Sequence, residues 1–104
     1  MKILFLNVFL FSLLLSFKIH AQYDFPEWQE EKYKAANTSE GASYLSPEEK
    51  DIITLLNYAR MNGKLFAETY VKKYAELKKL ENLKQVKSLI VDLSKTKPLQ
   101  PYVP

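Results

Sequence analysis

Ser46-Pro47-Glu48-Glu49-Lys50-Asp51-Ile52-Ile53-Thr54-Leu55-Leu56-Asn57-Tyr58-Ala59-Arg60-Met61-Asn62-Gly63 is the stretch on which the fold turns. A serine followed by proline and two glutamates opens a helix in three ways. The hydroxyl can accept from the free amide three residues on, the proline has no amide to leave unbonded, and the glutamate at the third position can reach back to the serine. Tyr44 and Leu45 precede the cap, placed as a hydrophobic staple is. Ile52, Leu55, Leu56 and Ala59 then recur at helical spacing, with Ile53 widening the stripe. Asn62-Gly63 predicts the stop, with Gly63 in the left-handed position that a helix C-terminus favours.

On the C-terminal side a second helix is expected from about Lys64 to Tyr74 or a little beyond, with Leu65, Phe66, Tyr70, Val71 and Tyr74 on its apolar side. The two-residue break makes the two helices meet at an angle around Leu56, Ala59, Leu65 and Phe66. Residues 76–82 are lysine-rich and predict a loop or frayed helix. Leu83, Val86, Leu89, Ile90 and Leu93 share the face of another helix ending near Lys95, because Lys97 precedes Pro98. Pro98-Leu99-Gln100-Pro101-Tyr102-Val103-Pro104 reads as extended. Leu99, Tyr102 and Val103 make this tail apolar, as though it led into a further packed element.

On the N-terminal side, residues 22–43 form an arm. Asp24, with Glu27 three residues on, predicts a short docking helix to about Ala36, and residues 37–43 a turn-rich linker. Before the arm, Lys2, an apolar run from Ile3 to Phe17 and the small Ala21 read as a cleavable signal peptide over residues 1–21. The run covers 15 residues, whereas a bilayer-spanning helix takes roughly 20, so an uncleaved anchor is the weaker alternative. The expected location is therefore secreted or periplasmic. No cysteine is present, which excludes a lipid-anchored lipoprotein.

Cleavage also sets what chemistry is available. Lys2, Lys18 and the single histidine, His20, lie in the leader, leaving thirteen basic against twelve acidic residues, a net charge of +1. That charge is not the footprint of a nucleic-acid binder. Without histidine or cysteine, residues 22–104 can build no disulfide, no Cys/His zinc site and no Ser–His or Cys–His pair. No catalytic, cofactor-binding or metal residue is assigned, and a non-enzymatic role is expected. The 83 remaining residues suit one small domain, and only two glycines argue for helix over hairpins.

Several groups invite a functional reading beside a plainer one. Asn57 and Arg60, three apart on one helix, could contact a ligand, but a helix-surface or inter-helix brace is the preferred reading. Phe66, Tyr70 and Tyr74 could line an apolar groove, with a core stripe preferred. Lys72, Lys73, Lys78, Lys79 and Lys84 could touch anionic lipid heads or cell-wall polymer. Interleaved with Glu76 and Glu81, they read better as a solvated face. Trp28 with Tyr33 could be a recognition patch, with an anchor for the arm preferred. Glu48 and Glu49 are accounted for by capping and the helix dipole.

The helix reading Leu55-Leu56-Asn57-Tyr58-Ala59-Arg60, the short break, and Leu65-Phe66-Ala67-Glu68-Thr69-Tyr70 together resemble the opening of a CAP domain. That superfamily groups cysteine-rich secretory, antigen 5 and pathogenesis-related 1 proteins, also called SCP-like proteins. Ser88-Leu89-Ile90, Leu93 and Lys97-Pro98-Leu99 resemble the approach to the next element of bacterial members. Ala36-Asn37-Thr38 and Ala42-Ser43-Tyr44-Leu45 resemble the leader of such exported proteins, so the likeness spans about residues 35–104. The resemblance implies an α-β-α sandwich, of which residues 44–104 are the N-terminal helical part without the sheet. The cleft of two histidines and two acidic residues found in many members has no counterpart here, so none of its roles is transferred. The fold expected is therefore mainly α, an incomplete CAP-like region with apolar stripes exposed, serving as a scaffold or binding surface. The alternative is a complete all-helical module docking on another exported protein.

Overall fold

The computed structural model describes residues 25–104; the expected leader and the capping role of Asp24 lie outside them. The described residues are mainly helical, and no strand occurs among them. Helix α1 (Pro47–Met61) opens as expected: Glu49 N–H donates to Ser46 Oγ at 3.2 Å, and Ser46 N–H donates to Glu49 Oε1 at 2.8 Å. A second rod, α2, runs over residues 63–77. It begins as an α-helix at Gly63–Phe66, widens to a π-helix at Ala67–Val71 and closes as an α-helix at Lys72–Leu77. Helix α3 (Lys84–Ser94) packs against the first two parts of this rod, and α1 packs on its start.

The arm departs from expectation. In place of one helix there are two 3-10 helices, Pro26–Gln29 and Glu31–Ala36, separated at Glu30 by an extended ψ of 144° and lacking any side-chain cap. At about 100° per residue, an uninterrupted α-helix would aim Trp28 and Tyr33 roughly 140° apart. The break lets both, and Ala36, turn inward. The expected linker is docked rather than loose: Ser39 is fully buried, and Lys50 Nζ donates to the Glu40 carbonyl at 3.0 Å.

Gly63 is also used differently. It has no positive φ, and Asn62 caps α1 through its N–H to the Tyr58 carbonyl. Asn62 then opens α2, its Oδ1 accepting from Leu65 N–H while its Nδ2 donates to the Tyr33 hydroxyl. The glycine is required by proximity: a Cβ there would collide with Thr96 Oγ1 and the Leu93 carbonyl oxygen, at the end of α3. The helix expected to reach Tyr74 or a little beyond runs to Leu77 and ends in a Schellman turn. Leu80 N–H donates to the Ala75 carbonyl, Lys79 N–H to that of Glu76, and Lys79 sits at φ 58°.

The core centres on Trp28, Leu55, Phe66, Val71, Val86 and Leu93. Ile52, Ile53 and Leu56 stay half-buried outside that cluster, and Tyr44, Leu99, Tyr102 and Val103 are exposed. The interior is closed, while one side of α1 and the tail keep apolar area in water.

Candidate functional site

Two adjoining arrangements converge on α1. The first is a carboxamide clamp. Asn57 is fully buried, and its Oδ1 accepts from the Tyr102 amide at 2.6 Å. That contact fixes which end of the side chain is oxygen. Its Nδ2 reaches the carbonyls of Ala36 at 2.9 Å and Tyr102 at 3.0 Å, and the Thr38 hydroxyl oxygen at 3.2 Å. Thr38 Oγ1 in turn donates to the Tyr102 carbonyl at 2.6 Å. One turn further along, Leu99 N–H donates to the Arg60 carbonyl at 2.8 Å and Arg60 Nε donates to Gln100 O at 3.1 Å. The last carbonyls of a helix have no partner within it, and the tail supplies one. Asn57 and Arg60 therefore act as a brace, Asn57 toward both the 3-10 helix that ends at Ala36 and the extended tail, Arg60 toward the tail alone.

The second arrangement is an open cleft of about 480 Å³ between the arm and α1. Asp51, Thr54 and Tyr58 line it from one face of α1, spaced i, i+3, i+7, opposite Trp28, Tyr33, Lys34, Asn37 and Glu40. Its aromatic floor is tightly built. Trp28 stacks on Tyr58 at 4.3 Å and meets Tyr33 edge-on at 4.6 Å; outside the cleft lining, Phe25 meets Tyr70 edge-on at 4.8 Å. Trp28 Nε1 donates to Thr69 Oγ1 at 2.9 Å, and Thr69 donates to the Leu65 carbonyl at 2.7 Å. Burial raises the Tyr58 phenol above its ordinary pKa, so it stays a neutral donor at physiological pH. The cleft can hold a ligand by hydrogen bonds along its rim, since its rings are largely spent on one another.

Of the groups singled out from the sequence, Trp28 and Tyr33 meet in the cleft floor, and Phe66 and Tyr70 join the same core. Tyr74 is buried further along α2. The five lysines are exposed away from the cleft lining, and Glu48 and Glu49 occupy the first turn of α1. Tyr58, Asp51 and Thr54 were not singled out, although their spacing places them on one helix face. Among the described residues no cluster of three or more potential ligands could hold a metal ion, and no helix is long and apolar enough to cross a membrane. No family model, curated protein or solved structure matches the chain.

Proposed function

We propose that residues 44–104 are the helical layer of a CAP-like, SCP-like extracellular domain, carried by an exported protein and acting as a non-catalytic scaffold. What supports this reading is that the separate stretches bearing the resemblance are bonded to each other. The helix Leu55-Leu56-Asn57-Tyr58-Ala59-Arg60 holds the segment that begins Lys97-Pro98-Leu99 by the amide of Leu99 and the carbonyls of Gln100 and Tyr102. The half-buried Ile52, Ile53 and Leu56 are the face such a layer would turn to a sheet. Mixing the exported product with the sheet-bearing remainder of a bacterial CAP domain should raise its Tm in a concentration-dependent way. An unchanged Tm, with no hydrophobic-dye binding by the free chain, would refute the reading. The same product should begin near Gln22 by mass spectrometry; a start at Met1 would remove the cleaved leader.

The exposed Leu99, Tyr102 and Val103 favour a second reading, a helical module that docks through its tail on another exported protein. That reading predicts a partner that stabilises the chain while the CAP sheet does not.

A further inference from the structure

We propose that the turn joining α2 to α3 is a docking surface for an anionic lipid bilayer. The proposal stands independently of the CAP-like reading and starts from how charge is distributed. Residues 25–51 carry three lysines against seven acidic groups, a net of −4. Residues 72–87 carry six lysines against two glutamates, a net of +4, in a chain whose exported part is close to neutral. The lysines of the acidic arm are engaged: Lys34 pairs with Glu31 at 2.8 Å and Lys32 with Glu30 at 3.4 Å. Lys78, Lys79 and Lys84, all exposed at the turn, form no ion pair among the described residues.

Charge alone would suit any polyanion; the leucines select among them. Leu77 and Leu83 stand at the two shoulders of the turn, each 45% exposed, directly beside Lys78 and Lys84. Leu80, between them, packs on the core and holds the turn in place. Two half-exposed leucines, each followed in sequence by a lysine, match a bilayer interface, where apolar tips enter the acyl boundary and lysines meet phosphates. A soluble phosphate polymer leaves the leucines in water.

The backbone adds an independent sign. Lys79 occupies the slot of the Schellman turn that glycine fills without strain, at φ 58°. A side chain kept in that conformation against its steric cost is consistent with use of its charge.

The test is co-sedimentation of the exported product with vesicles of phosphatidylcholine alone or with one-third phosphatidylglycerol, variants being checked by circular dichroism. Binding should require the anionic lipid and weaken with salt. The triple variant K78Q/K79Q/K84Q should bind about a hundredfold more weakly. L77S/L83S should also bind more weakly while keeping its salt dependence. K79G should lose about fivefold in binding yet show a higher urea midpoint, which separates the surface role from folding. Equal binding of the exported product to both vesicle types overturns the proposal. So does capture by polyphosphate but not by vesicles, or full vesicle binding by the triple variant.

Discussion

Replacing Asn57 by alanine should loosen three parts of the molecule at once. The carboxamide accepts one hydrogen bond, from Tyr102, and shares its two N–H groups among the oxygens of Ala36, Thr38 and Tyr102. Two hydrogens cannot fully serve three oxygens, so three bonds are counted, at about 0.5–1.5 kcal/mol each. The tail amide can turn to water once released. Ala36 is fully buried, but its carbonyl still accepts from the Thr38 amide at 2.9 Å, so no buried oxygen is left wholly without a partner there. The expected loss is about 3 kcal/mol, or roughly 12–24 °C in Tm for a domain of this size. Urea melts by circular dichroism would measure it, and hydrogen exchange at the Leu99 and Tyr102 amides would locate it. Asn57→Asp sharpens the test because it keeps the shape and the acceptor but faces the Ala36 and Tyr102 carbonyls with a carboxylate. Burial against those oxygens raises the folded pKa of the new group. Its destabilisation should therefore be least at acidic pH and grow as pH rises through the ordinary aspartate range. An N57A protein with an unchanged midpoint and unchanged protection at both amides would refute the clamp.

Gly63→Ala should cost about 2 kcal/mol by urea melt: roughly 3 from forcing the end of α3 away, less about 1 for alanine's better helix propensity. Trp28→Phe removes the bond to Thr69 and part of the packed ring, and should cost about 2 kcal/mol without disturbing Thr69, which still donates to Leu65. Ser46→Ala should cost about 1 kcal/mol through loss of the cap. Hydrogen bonds from the Ser46 backbone, then from its side chain, hold the Glu49 carboxyl below its ordinary pKa. That contribution is present above the unfolded-state pKa and is lost as pH falls through the folded one. The variant keeps the backbone bond, the larger of the two causes, so the acid limb of its stability profile should become only slightly shallower.

What could be read from the chain, and what could not, divides by the kind of atom involved. The start of α1 was legible because Ser46, Pro47 and Glu49 are side-chain signals that act within one turn. The inward stripe of α3 was legible because Val86, Leu89 and Leu93 keep one period. The clamp was not, since Asn57 and Arg60 bind mainly backbone groups some forty positions away, and backbone carries no residue-type signature. Gly63 misled for a related reason. Glycine marks either a left-handed turn or a close approach, and only the position of α3 decides between them. In the cleft, Trp28 and Tyr33 drew notice as aromatic residues in a polar arm. Tyr58 was hidden within a helix whose apolar neighbours claimed the pattern, although its register with Asp51 and Thr54 was available.

The π-helical stretch at Ala67–Val71 gives the second rod one residue more than a plain α ladder would hold between its two halves. Deleting any one residue there would let the ladder heal, so local hydrogen bonding would hardly register the loss. The halves on either side would keep their angular phase, because a plain α ladder spans the same gap with one residue fewer, and Tyr74 and Ala75 would stay turned inward. The extra residue is thus absorbed where it stands rather than passed along the rod, and a variant lacking the exposed Glu68 should keep both its helicity and its cooperative melt.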